Sequence, residues 1–175
     1  LHWFTEGVTD YYSFLTIVRA GIWSEEQFLK RLGENLTQVE NDYAAWVRSA
    51  YKVSMDSWYD QSNYRPSEWN VSYYTLGMRL GLLIDMRLRQ QSKGRIGMDD
   101  LMRYLYANYY EKNRGVPEDG IQEALEEISG ENWTDFFQRY VNGVVPFNYS
   151  KLFKSFGIQP NMQANPVLGM REVGI

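Results

Sequence analysis

Apolar positions recur along this chain at spacings of three and four, the period of an α-helix, from its first turns almost to its end. Val8, Tyr11, Tyr12, Leu15 and Val18 share one face of a helix predicted over 5–20 and stopped by Gly21. Glu6, Asp10 and Ser13 fall on a different, polar face. A second helix opens with the capping box Ser24 and Gln27 and a staple of Trp23 on Phe28. Its period runs on through Leu32, Leu36, Val39 and Tyr43 to Trp46 or Val47.

The period lapses over 54–70, which is rich in Ser, Asp, Asn and rings and includes Pro66. This predicts a long ordered loop of the kind that lines a cleft. Helical spacing returns over 72–91, ending near Ser92-Lys93-Gly94, and again from Met98 to about 112 with Asp99 and Asp100 in the first turn. Further helices are predicted from Pro117 to Gly130, from Trp133 to Val141, and from Tyr149 to Phe156, where Gly157 intervenes. Asn165 to Met170 reads as the start of an extended segment. The expected fold is mostly α, an irregular multi-helix array over 1–157 followed by a short extended tail over 158–175.

Composition narrows the function. Aromatic residues make up 16% of the 175 positions, enough for large packed rings or a ring-lined groove. The net charge is −4 and basic residues form no long block, which argues against a nucleic-acid partner. Without cysteine, neither a disulfide framework nor a thiolate metal site can form. No apolar run is long enough to span a bilayer; 76–86 is broken by Arg79 and Asp85. The run Met86-Arg87-Leu88-Arg89 is expected to be a solvated helix face.

The single histidine, His2, excludes a Ser-His-Asp arrangement made within a folded core of this chain. His2 and Glu6 have the i, i+4 spacing of a helical chelate, but two ligands are too few for zinc. Taken alone, Glu6 is an ordinary acid in a first helical turn, favourable for the helix dipole. On the helix over 72–91, Tyr74, Gly77, Met78, Gly81 and Asp85 form one stripe. The two glycines make it shallow enough for a neighbouring helix to come close. Asp85, on an otherwise apolar helix, is expected to be internally hydrogen-bonded.

Several motifs in order then change the picture. Trp3-Phe4-Thr5-Glu6-Gly7-Val8-Thr9-Asp10-Tyr11-Tyr12 resembles the W-x-x-E-G-x-x-x-Y-Y segment of the M61 glycyl aminopeptidase family, which are gluzincins. Ser54-Met55-Asp56-Ser57-Trp58 is similar to its S-F-D-A-W loop, and Val71-Ser72-Tyr73-Tyr74-Thr75-Leu76-Gly77 to its V-S-Y-Y-x-K-G motif. Val18 to Gly21, Leu82 to Arg89, Asp99 to Met102, Phe136 to Val141 and Leu152 to Gly157 follow in the family's order. Pro166-Val167-Leu168-Gly169 resembles the opening of the family's PDZ domain.

The resemblance implies a zinc-dependent aminopeptidase acting on peptide or protein substrates. It makes Glu6 the third zinc ligand and Tyr74 the phenol that stabilises the oxyanion. It places Asp10, Tyr73 and Trp58 around them or along the substrate pocket. The two histidines and the catalytic Glu would come from an upstream H-E-x-x-H segment of the same protein, so these 175 residues alone are expected to be inactive. Leu76 stands where the family usually has Lys, which removes any role of that cation. The alternative is a non-catalytic helical module that uses its rings to bind protein or carbohydrate.

Overall fold

The chain's structure, a computed structural model, describes residues 1–60 and 70–158. Ten α-helical segments are seen: α1 Thr9–Arg19, α2 Glu25–Asn41, α3 Tyr43–Val47, α4 Ala50–Met55, α5 Ser57–Asp60, α6 Tyr73–Ser92, α7 Met98–Leu105, α8 Gly120–Ser129, α9 Thr134–Phe136 and α10 Tyr149–Lys154. Three wider, π-helical turns join them: π1 Trp3–Val8 before α1, π2 Tyr106–Tyr110 after α7, and π3 Phe137–Val141 after α9. The described residues contain no strand, so the mostly α array expected from the periodicity is what forms. The tail expected to be extended, including Pro166 to Gly169, lies outside the described residues. None of the described helices is long and apolar enough to cross a membrane.

Helix α6 is the axis of the array. Ser72 starts it by accepting the Tyr74 N–H at 3.1 Å, and Lys93 (φ 56°) and Gly94 (φ 83°) end it in the left-handed region. Leu76, Leu80, Leu83, Ile84 and Leu88 are all but fully buried, with Met78, Leu82 and Met86 close behind. A helix apolar on every side must be covered on every side. The continuous π1–α1 helix, α2, α4, α7 and α8 supply the cover.

One buried carboxylate ties three of these helices together. Asp85 accepts from Tyr11 Oη of α1 at 2.8 Å, from Arg89 Nε at 3.0 Å and from the Met98 N–H that opens α7 at 2.7 Å. It is the internally satisfied acid that the sequence implied.

Several expectations change. The first helix begins at Trp3 rather than near 5, and a Ser54 hydroxyl from another helix receives the Trp3 N–H. The second ends at Asn41; Asp42 turns the chain and caps α3 through the Ala44 N–H at 2.9 Å. Its capping box forms as expected, and the Trp23 ring packs on Phe14 at 5.0 Å. The long loop over 54–70 is in its first part helical, as the end of α4 and α5, and 61–69 lie outside the described residues.

The run Met86 to Arg89 is not a solvated face. Met86 and Leu88 are buried, Arg89 pairs with Asp85, and Arg87 lies 4.4 Å over the Trp133 ring while donating to the Asn132 carbonyl at 3.1 Å. Burial holds the Arg87 guanidinium below its ordinary pKa. Arginine's long stem and flat head suit it to lie on an aromatic face.

Candidate active-site pair

Glu6 sits within π1. There the Thr9 N–H reaches the Phe4 carbonyl five residues back, as well as that of Glu6. This wider winding opens the helix ladder, and side-chain hydroxyls fill the gaps. Thr9 Oγ1 lies 2.6 Å from the Thr5 carbonyl and 2.9 Å from that of Glu6. At the other end, the Trp3 N–H donates to Ser54 Oγ at 2.8 Å. Such widened turns cost regular bonding and recur where a side chain must be re-aimed.

Close approach to α6 explains where the turn sits. A Cβ on Gly7 would stand 2.5 Å from Gly77 Cα and 2.7 Å from the carbonyl oxygens of Tyr73 and Tyr74. A Cβ on Gly77 would overlap the Trp3 carbonyl oxygen. The two helices therefore touch backbone to backbone, which only glycine permits on either side.

Glu6 precedes one of these glycines, and Tyr74 lies almost one turn before the other. As a result, Tyr74 Oη donates to Glu6 Oε2 at 2.8 Å, across 68 residues of chain. Tyr74 remains 40% exposed, so the pair faces an open surface. The Glu6 carboxylate, by accepting that bond, raises the Tyr74 phenol above its ordinary pKa, with smaller contributions from partial burial and from nearby negative charge.

The other residues implied by the family motifs divide. Tyr73 lies beside the pair, its ring stacked on Tyr74 at 5.0 Å and against His2 at 5.3 Å. Asp10 is one turn after Glu6; partial burial, then the Glu6 charge, raises its pKa. Trp58 stands on α5, 79% exposed, and no described contact joins it to the pair. Leu76, in the family's lysine position, is fully buried in the core.

Gly7, Thr9 and Ser54 stood in the sequence only as members of the family-like motifs, with no contact assigned to them. Gly77 was legible as a notch, but its counterpart Gly7 carried no periodic signal. Ser54 lies on another helix and became relevant only through contact.

Glu6 offers a carboxylate oxygen on a rigidly held helix, a suitable single donor for zinc. Among the described residues, no three His, Cys, Asp or Glu side chains converge to hold a metal ion.

The fold is similar to a helical portion of an aminopeptidase-type structure. The family model described as M61 glycyl aminopeptidase matches residues 1–80, which contain both π1 and the Tyr73-Tyr74 end of α6. Residues 1–80 are thus similar to the M61 glycyl aminopeptidase family. The chain is also similar to the crystal structure of an aminopeptidase N family protein from Idiomarina loihiensis, with a TM-score of 0.82 and 26% identity over 89% of this chain. The chain spans 27% of that protein's chain. No curated protein matches it.

Proposed function

We propose that this chain supplies the third zinc ligand, Glu6, and the oxyanion donor, Tyr74, of a zinc aminopeptidase that hydrolyses peptide bonds near substrate N-termini. The observation that carries the reading is the 2.8 Å bond between Tyr74 Oη and Glu6 Oε2. It brings the two residues to one point of an open surface by a route independent of the motifs.

Bound zinc would polarise the scissile carbonyl and acidify its water. The chain's own residues would do the rest of what is visible. Glu6 would give the metal a carboxylate oxygen from a helix that cannot slide, because Gly7 and Gly77 are in backbone contact. Tyr74 would donate to the oxygen that gains charge as the peptide bond is attacked. A phenol is protonated at neutral pH, as a neutral donor must be. Tyr73 would keep the Tyr74 ring in place by stacking on it. Asp10 would accept hydrogen bonds near the metal, and Trp58 would border the substrate.

The one histidine of this chain cannot complete a His-His-Glu set. Two histidines from an H-E-x-x-H segment outside these residues would be needed. The isolated chain should accordingly hold zinc weakly and leave peptides intact.

The test uses a protein carrying both this chain and such a segment. Glu6→Ala should remove bound zinc and activity together. Tyr74→Phe should retain zinc and lower kcat by roughly 10²- to 10³-fold, as loss of an oxyanion donor does. Full zinc occupancy and activity in Glu6→Ala would remove Glu6 from the site.

A further inference from the structure

Of the segment Ser54-Met55-Asp56-Ser57-Trp58 only Trp58 has a part in the chemistry above, yet its first residue reaches the mouth of π1. Ser54 is on α4, 5% exposed, and its hydroxyl is fully committed. It donates to the Ala50 carbonyl at 2.9 Å and accepts the Trp3 N–H at 2.8 Å. The first commitment aims a lone pair at the second. Trp3 N–H stands at the mouth of π1, where a helix has no acceptor of its own to offer. Trp3 is itself 1% exposed, so water cannot take the place of Ser54.

We propose that Ser54 is a positioning residue for Glu6. It anchors the N-terminal mouth of π1, as the Thr9 hydroxyl closes the other end on the Thr5 and Glu6 carbonyls. With both ends pinned, the wide turn keeps its register, and Glu6 Oε2 stays within reach of Tyr74 Oη. Without Ser54, π1 can rewind toward regular α geometry. Each residue then shifts around the helix axis, and the carboxylate turns away from the phenol. The inference rests on Glu6 having the role proposed above, but its test reads geometry and not activity.

The experiment places 3-fluorotyrosine at position 74 of the 175-residue chain and records its fluorine resonance. Glu6→Gln in the same chain fixes the resonance expected when the charged acceptor is lost. Ser54→Ala should move the signal most of the way to that value, and Ser54→Thr, which keeps the hydroxyl, should return it. The Trp3 amide should exchange at least about tenfold faster in Ser54→Ala, as expected when a buried donor loses its acceptor. If the alanine variant unfolds, Ser54→Cys, with similar volume and a weak acceptor, should produce the same direction of shift.

A wild-type fluorine signal in Ser54→Ala together with faster Trp3 exchange would overturn the proposal, leaving Ser54 merely structural. Identical behaviour of the Ala and Thr variants would overturn it too. Failure of the zinc assignment shows itself elsewhere, as full metal occupancy in Glu6→Ala of the longer protein.

Discussion

Gly7 and Gly77 meet with no side chain between them, and a Cβ on the first would lie 2.5 Å from the Cα of the second. The distance between Glu6 and Tyr74 follows from that contact.

Gly77→Ala should therefore be among the most damaging substitutions in the chain. Its methyl would meet the Trp3 carbonyl, part of the backbone, which cannot rotate aside. The expected cost is about 3 kcal/mol or more by urea unfolding, at the upper end of overpacking effects. Gly81→Ala should cost less, about 1–3 kcal/mol, because its nearest neighbour, the Tyr11 Cβ, would stand 2.9 Å away, a milder overlap than at Gly77. Equal costs would argue against the backbone contact.

Glu6→Gln should lower the Tyr74 pKa toward its ordinary value of 10.0, since the bond to the Glu6 carboxylate is the largest cause of its rise. Difference absorbance of the phenolate against a Tyr74→Phe control measures this. An unchanged transition would mean that the pair does not form in solution.

The Asp85 junction should be costly to break. Asp85→Ala leaves the Tyr11 hydroxyl, the Met98 N–H and Arg89 without their shared acceptor. The expected loss is about 3–5 kcal/mol by chemical denaturation, as when one member of a buried charged pair is removed. Tyr11 also titrates abnormally. Burial, then the charge of Asp85, raises its pKa well above 10.0. A raised folded-state pKa means that its contribution is whole below 10.0 and is lost as the pH climbs toward the raised value. Tyr11→Phe should cost about 1–3 kcal/mol at neutral pH and flatten the alkaline limb of the stability profile.

Asp99 and Asp10 should act in opposite senses in acid. The hydrogen bond from Arg19 is the largest cause holding Asp99 below its ordinary 3.8. Its contribution is thus present above that value and lost as the pH falls through the lowered one. Half-exposed as Arg19 is, the pair is worth less than about 1 kcal/mol. Asp10 is raised from 3.8, so its charge opposes folding above the ordinary range. Asp10→Asn should then gain about 0.3 kcal/mol at neutral pH, while Asp99→Asn should lose stability there and flatten the acid limb. Thermal melts across acid pH measure both.

Arg87→Ala should cost about 1–2 kcal/mol in urea unfolding, since it removes a cation held 4.4 Å over the Trp133 ring. A solvated arginine would cost almost nothing. The sequence placed Arg87 on a charged run, and that was the wrong inference. Local spacing shows which residues share a face; it does not show that Trp133, 46 positions away, will cover that face.

The helices themselves were largely readable. Ser24 with Gln27, Ser72 before α6, and Gly130 and Gly157 after their helices act through bonds or backbone angles formed within a few residues. Local chemistry suffices for such signals. The first part of the loop expected over 54–70 was misjudged because α4 and α5 are too short to show a period.

The identities of Glu6 and Tyr74 as candidates came from motifs within ten residues of each. That they form one pair came from the crossing of π1 with α6, and a crossing is set by which surfaces fit. The π1 winding belongs to the same level: Ser54, some fifty residues on, accepts the bond that opens the helix, and Gly77 makes room for it. Spacing along the chain fixes faces and caps, because these depend on neighbours in sequence. Contact between distant backbones depends on the packing of the whole, so only the folded molecule could decide where Glu6 points.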